Sequence, residues 1–152
     1  MQKNTDYSEI NSYNIALGNE TALKNINKNL VSNGRNSFLK KYSKNDVEKV
    51  IVVKLDSLKL QPKYIFMDVE GYELEVLEGS TNTLQSVEVL CLEFNLNENN
   101  RRNKVIDLVT EYFEFFQIFN NGFHHDIKYL KSYIDEIHLD QIDLILYNKN
   151  TK

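Results

Sequence analysis

The chain has 152 residues, of which 41% are hydrophobic and 26% are charged, which is typical of one globular domain rather than a disordered chain. Its formal net charge is −4 and its basic residues never cluster beyond a neighbouring pair, which argues against nucleic-acid binding. A single cysteine excludes an intramolecular disulfide, and no apolar run is long enough to span a membrane. Because the first residues are polar rather than a signal peptide, we expect a cytoplasmic protein.

The first third of the chain predicts short extended segments. Residues 13–18 are typical of a short strand that ends in a turn at Gly18-Asn19. Further extended pieces are predicted at residues 22–26, 30–31, 38–42 and 50–55. Asn33-Gly34 is a favourable two-residue hairpin turn between two of them. We interpret this part as a β-rich region that decorates a larger sheet.

The stretch from residue 64 to residue 80 predicts a strand, a tight loop and a helix. Residues 64–67 are an apolar run typical of a strand that is buried on both faces. Asp68, Glu70 and Gly71 form the loop, where the glycine allows a sharp turn. Four residues at helical spacing then predict one apolar helical face: Leu74, Leu77, Thr81 and Leu84.

Strands and helices alternate in the rest of the chain. Apolar runs predict strands at residues 87–95, 113–119 and 141–147. Helical spacing of apolar residues predicts helices at 101–113 and 127–137. Such alternation implies an α/β fold with a mainly parallel sheet covered by helices on its faces. Because the sequence has no internal repeat and no linker, we expect one domain over residues 1–152.

Acidic residues follow two strands that we expect to be neighbours. Asp68 and Glu70 follow the first strand, and Glu93 and Asn95 end the second. Neighbouring strands lie about 4.8 Å apart, so groups at their carboxyl ends converge on one site. Their oxygen atoms suit Mg²⁺ or Ca²⁺, and a single carboxylate, Asp68 first, instead suits a general base. Both interpretations stay open.

Other polar residues have structural explanations. Glu73 and Glu75 lie in the first turn of the predicted helix, where the helix dipole favours negative charge. Cys91 lies within an apolar run and is predicted to be a buried core residue. The His-His-Asp run at 124–126 invites a metal-site interpretation, but adjacent side chains diverge, so we favour an ordinary polar loop.

The segment 68–80 resembles the FkbM family of S-adenosylmethionine-dependent methyltransferases. It reads Asp-Val-Glu-Gly-Tyr-Glu-Leu-Glu-Val-Leu-Glu-Gly-Ser, and in that family an Asp-x-Glu-Gly-x-Glu-x-x-x-Leu-x-Gly segment follows the fourth strand. The next strand of the family ends in Glu, as at Glu93 here. Residues 14–18 and 52–58 resemble the end of the family's third strand and the approach to its fourth. The resemblance covers roughly residues 11–147.

The resemblance implies a Rossmann-like class I methyltransferase sheet that is truncated at its N-terminal side. In the family a glycine-rich loop wraps the methionine end of the cofactor, but no two of the five glycines here form a Gly-x-Gly pair. The resemblance places Ala16 and Leu17 near the adenine of S-adenosylmethionine. It places Asp68 and Glu70 at the methyl-transfer site, with Glu93 lining the pocket.

Two functions follow as hypotheses. The first is S-adenosylmethionine-dependent O-methylation of a small-molecule or sugar hydroxyl, with Asp68 as base or with a divalent metal held by Asp68, Glu93 and Asn95. The second is an inactive remnant or partner subunit that keeps the sheet without binding cofactor alone. The family's first strand normally pairs with the strand at 64–67, so an open edge there predicts self-association or a second chain that completes the sheet. We expect no nucleic-acid or membrane partner.

Overall fold

The structure is a computed structural model, and it describes residues 10–28, 36–39, 47–119 and 122–148. Two sheets and four α-helices are formed within these residues. No helix in the described ranges has the length and apolar character needed to cross a membrane.

A three-stranded sheet forms the first part of the fold. Its strands are β1 (Ala16–Leu17), β2 (Ala22–Asn27) and β3 (Val47–Val53), in the order β1-β3-β2. β1 is parallel to β3, whereas β2 is antiparallel to it. This arrangement confirms the prediction of a β-rich region. The pieces predicted at 30–31 and 38–42 lie wholly or partly outside the described residues, as does the Asn33-Gly34 turn.

A five-stranded sheet forms the larger part of the fold. Its strands are β4 (Tyr64–Met67), β5 (Val89–Asn95), β6 (Phe115–Ile118), β7 (His125–Asp126) and β8 (Gln141–Tyr147). Their order is β4-β5-β8-β6-β7. Only β4 and β5 are parallel, while the other three pairs are antiparallel. The α/β class is confirmed, but the prediction of a mainly parallel sheet is wrong because this sheet is mixed.

The direction of β8 explains why the sheet is mixed. The connection from β6 contains β7, a 3₁₀ turn and α4 (Leu130–Glu136), a helix of seven residues. β7 returns the chain to the amino end of β6, where Asp126 lies opposite Phe115. The segment that contains α4 then carries the chain back to the carboxyl end, so β8 runs opposite to both β5 and β6. β8 begins beside the carboxyl end of β5, where Leu96 N donates to Asp140 O at 2.8 Å.

The helices cover one face of the five-stranded sheet in a single apolar core. They are α1 (Glu73–Glu78), α2 (Thr81–Leu84), α3 (Asn99–Tyr112) and α4. Residues such as Leu77, Val109 and Ile134 pack there against Leu90 and Leu144 of the sheet. The one helix predicted after the loop is thus two short helices, separated by a glycine and a serine.

The opposite face of β4 is exposed. Phe66 is 82% exposed and Tyr64 is 58% exposed, so the prediction of a strand buried on both faces is wrong. Among the described residues β4 pairs only with β5, and its second edge pairs with no strand. Cys91 on β5 is half-buried rather than part of the core, because its side chain also lies on this uncovered face of the sheet.

Candidate functional site

Four of the predicted site residues line one cavity at the carboxyl end of β4. Ala16 and Leu17 of β1 line it together with Asp68 and Glu70, which follow β4. The cavity has a volume of about 330 Å³, and we call it the β1–β4 cavity. Its remaining lining residues are Ile15, Ile26, Asn36, Phe38, Val69 and Tyr72. The two sheets therefore meet at this cavity, and the functional roles of the four residues stay predictions.

The turn between β4 and α1 gives the acidic residues their positions. Glu70 has a φ of +51° and Gly71 has a φ of +92°. Positive φ is easy for glycine but unfavourable for an L-residue with a Cβ atom. Tyr72 N donates to Val69 O at 3.2 Å and closes the turn just before α1. The direction of the Glu70 side chain thus depends on an unfavourable backbone conformation, which contacts with neighbouring groups must stabilise.

Glu73 is the acidic residue that differs most from the sequence-based interpretation. Its side chain is only 5% exposed, although we expected an ordinary first-turn acid. Burial raises the pKa of the Glu73 carboxyl above its usual value. Its Oε1 accepts a hydrogen bond from Gly71 N at 2.9 Å. The available sequence signal is its place as the third acid in the Asp-x-Glu-Gly-x-Glu motif.

Arg101 is a second residue of this region that the sequence did not reveal. Its guanidinium on α3 donates to both carboxylate oxygens of Glu75, at 2.7 and 2.5 Å. Nη2 of Arg101, which makes the shorter of these two contacts, also donates to Gly71 O at 3.0 Å. Arg101 therefore connects α3 both to α1 and to the turn that precedes it. Because this contact spans 26 residues or more of sequence, local patterns do not predict it.

A second cavity lies on the exposed face of the larger sheet. We call it the sheet-face cavity; it has a volume of about 380 Å³ over β4, β5 and β8. Its side-chain lining includes Phe66, Asp68, Cys91, Glu93, Phe119 and Asp143. Asp68 lines both the sheet-face cavity and the β1–β4 cavity, whereas Glu93 lines the sheet-face cavity but not the β1–β4 cavity. Partial burial, then the negative charges of Asp68 and Glu70, raise the pKa of the Glu93 carboxyl.

The metal interpretation finds no support. The described part of the chain contains no group of three or more His, Cys, Asp or Glu side chains that could hold a metal ion. Asn95, which we considered as a ligand beside Asp68 and Glu93, instead accepts a hydrogen bond at Oδ1 from the backbone N–H two residues further on, at 3.0 Å. The side chains of His124 and His125 stack on aromatic rings.

The family model described as methyltransferase FkbM domain matches residues 3–137 of the chain. The match covers more than half of the chain. It includes β1, the turn after β4 and the end of β5, and therefore every residue that we predicted for the site. No curated protein and no solved structure matches the chain.

Proposed function

The chain belongs to the family of FkbM methyltransferase domains, and from this membership we propose that it transfers a methyl group from S-adenosylmethionine to the hydroxyl oxygen of a small molecule or a sugar. The observation that carries the proposal is the β1–β4 cavity, which is lined by Ala16 and Leu17 together with Asp68 and Glu70. A cavity that combines apolar surface with two carboxylates suits a flat aromatic ring that is attached to a positively charged group.

The residues of the β1–β4 cavity fit two parts of S-adenosylmethionine. Ile15, Leu17 and Phe38 offer apolar surface for the adenine. Asp68 and Glu70 offer negative charge for the sulfonium or the ammonium. Among the described residues, no Lys or Arg lines this cavity, so the cofactor carboxylate has no basic partner there. When bound, the cofactor supplies an electrophilic methyl carbon.

In the proposed reaction Asp68 is the general base. Because it borders both cavities, its carboxylate can reach a hydroxyl in the sheet-face cavity and accept the proton. The acceptor oxygen then forms a bond to the methyl carbon as the bond between that carbon and sulfur breaks. Most of the acceleration comes from alignment of the reacting atoms, which the pairing of β4 with β5 supports by fixing the strand end.

The sheet-face cavity is the proposed acceptor site. Phe66 and Phe119 are exposed aromatic rings, and such rings pack against the apolar faces of ring-shaped ligands. Glu93 lines the same cavity, where partial burial raises the pKa of its carboxyl group, and its oxygen atoms can accept a hydrogen bond from a hydroxyl group of the acceptor. This combination of rings and carboxyl groups suits an acceptor with several hydroxyl groups.

The second candidate function is that of a partner subunit without activity of its own. Two observations favour it. The free edge of β4 pairs with no strand among the described residues, and no basic residue described here lines the β1–β4 cavity. A second polypeptide that supplies both a strand and a basic group would complete the site.

Methyl transfer by residues 1–152 tests the proposal. Radiolabelled S-adenosylmethionine is incubated with a panel of sugars and small hydroxyl compounds. Asp68→Asn keeps the shape of the side chain and should lower kcat at least about 100-fold, the usual scale for a general base. Asp107→Asn, an exposed residue of α3 outside both cavities, is the matched control and should retain activity.

Two outcomes contradict parts of this proposal. Near-normal turnover by Asp68→Asn removes Asp68 from the mechanism. Absence of any turnover by the wild-type chain, together with turnover when a second polypeptide is added, supports the partner-subunit function instead.

A further inference from the structure

The turn that carries the acidic residues is held in an unfavourable backbone conformation. Glu70 and Gly71 are consecutive residues with positive φ, +51° and +92°. A non-glycine residue adopts the left-handed region only when surrounding contacts over-determine it. The direction of the Glu70 side chain, and of the chain from Asp68 onward, therefore depends on the groups that bind this turn.

Three side chains bind the polar backbone atoms of the turn. Ser37 Oγ donates to Glu70 O at 3.2 Å, and Arg101 Nη2 donates to Gly71 O at 3.0 Å. Glu73 Oε1 accepts from Gly71 N at 2.9 Å. The three contacts together address the carbonyl of Glu70 and both polar backbone atoms of Gly71. Glu73 provides the one acceptor in this set.

A role in starting α1 does not by itself explain the burial of Glu73. Negative charge near a helix N-terminus is favourable without burial, and Glu75 also supplies it in the same first turn. Glu73 is 95% buried, and burying a carboxyl group is unfavourable unless it is hydrogen-bonded. The carboxyl group interacts with its own backbone N–H at the start of α1 and, through Oε1, with Gly71 N, which precedes the helix. The second contact joins the buried carboxyl group to the turn.

We propose that Glu73 is a positioning residue, whose buried carboxyl group fixes the Glu70-Gly71 turn and so sets the direction in which Asp68 and Glu70 face the β1–β4 cavity. The fixing of the turn stands on the contacts alone, whereas its use in catalysis rests on the proposed methyl transfer. Glu73 does not line the β1–β4 cavity, so it acts through its neighbours rather than on a ligand there.

Amide hydrogen exchange of the full chain measures the turn directly. Glu73→Gln keeps an acceptor oxygen at the same length and should leave exchange at Gly71 N within about threefold of the wild type. Glu73→Met removes the acceptor oxygen. Glu73→Asp keeps a carboxyl group but shortens the side chain by one methylene, which moves the acceptor oxygen away from Gly71 N. Both should speed exchange at Gly71 N about tenfold or more, because no acceptor oxygen then lies within hydrogen-bond distance of this N–H group. If Glu73→Met does not fold, Glu73→Asp decides.

A second signal reports the backbone conformation at Glu70. Positive φ brings the amide proton close to the Hα proton of the same residue and gives a strong nuclear Overhauser effect. This effect should weaken in Glu73→Met and Glu73→Asp and persist in Glu73→Gln. Val109→Ala, which removes core volume on α3, lowers global stability without touching the turn and should leave the Glu70 signal unchanged.

The two measurements separate the inference from the proposed function. Unchanged Gly71 exchange and an unchanged Glu70 signal in Glu73→Met and Glu73→Asp overturn the positioning role, whether or not the chain is active. The same changes in Val109→Ala also overturn it, because they would report global loosening. Where turnover is measurable, kcat should fall at least about tenfold in Glu73→Met, recover in Glu73→Gln, and be accompanied by little change in KM.

Discussion

Gly79 packs so closely against Gly18 that a Cβ atom on Gly79 would overlap the carbonyl oxygen of Gly18. Gly79 follows α1, and Gly18 follows β1, so this contact joins the two sheets. Beside it, Asn19 Nδ2 donates to Glu78 Oε2 at 2.7 Å. Leu17, which precedes Gly18, lines the β1–β4 cavity. A side chain at position 79 would therefore press on the end of the strand that contributes to this lining.

Gly79→Ala should destabilise the fold and move β1. The φ of Gly79 is −86°, which any residue adopts, so the effect comes from the clash with backbone at Gly18 rather than from the backbone of residue 79. Overpacking of this kind costs about 1–3 kcal/mol, and a backbone neighbour yields less readily than a side chain. Urea unfolding measures the loss, and amide chemical shifts of Ala16 and Leu17 report the movement.

The control for this prediction is Gln85→Ala, which changes an exposed residue at the end of α2. It should change the free energy of unfolding by no more than about 0.5 kcal/mol. A Gly79→Ala variant as stable as this control would show that the two segments separate freely.

Asp56 should contribute stability that depends on pH. Its carboxylate accepts four hydrogen bonds, from the backbone N–H groups and the side chains of Asn82 and Thr83, and so binds the N-terminal turn of α2. Burial raises the pKa of Asp56, but these hydrogen bonds outweigh it and hold the pKa below its ordinary value of 3.8. Asp56→Asn should therefore cost about 1–3 kcal/mol near neutral pH.

The sign of the pH dependence follows from the lowered pKa. The stabilisation by Asp56 is complete above the unfolded-state pKa, and it is lost as pH falls through the folded-state pKa. Urea unfolding at a series of pH values should thus show the gap between wild type and Asp56→Asn closing in acid. Asp107→Asn is the control, and a gap that stays constant from neutral to acidic pH would contradict the role of the carboxylate.

The sequence predicted the positions of the strands better than their directions. Residues 64–67 and 141–147 form strands with the predicted bounds, because apolar runs between polar segments identify strands locally. The direction of β8 depends on β7, a strand of two polar residues that hydrophobic periodicity does not reveal. Alternation of helices and strands suggested parallel pairing, whereas the chain has already reversed at β7 before it enters α4, so β8 is antiparallel to both of its neighbours.

In the candidate site, too, the sequence predicted which residues belong together but not how each one is buried. The motif identified Asp68 and Glu70, and the structure places both beside Ala16 and Leu17, which lie about 50 residues earlier in the chain. Burial of Glu73 was not predictable, because an acid in the first turn of a helix has the same local pattern whether it faces solvent or the core.

The exposed edge at β4 should make residues 1–152 self-associate. Phe66 projects from a strand whose second edge pairs with no strand in the described part of the chain, and such edges are templates for association. Phe66→Lys places a charge on this strand and should shift the sedimentation coefficient toward that of the monomer. Leu139→Lys, at another exposed apolar residue in a loop, is the control and should not do so. A wild-type chain that is monomeric at high concentration would contradict this prediction.

S-adenosylmethionine should bind residues 1–152 weakly, with a Kd of roughly millimolar or above. The described lining of the β1–β4 cavity offers apolar surface and two carboxylates but no basic group, so the cofactor carboxylate would leave water without a charged partner. Each missing charge-assisted hydrogen bond weakens binding by about 1.5–3 kcal/mol, so two of them, at about 4–5 kcal/mol in the middle of that range, weaken a micromolar site about a thousandfold. Titration calorimetry measures this affinity directly.

The sharper comparison is between S-adenosylhomocysteine and 5′-methylthioadenosine, which share the adenine, the ribose and the thioether but differ in the amino-acid part. If that part is unmatched, the two ligands should bind within a few fold of each other. Micromolar binding of S-adenosylmethionine, or a hundredfold preference for S-adenosylhomocysteine, would mean that a basic group outside the described lining reaches the cavity.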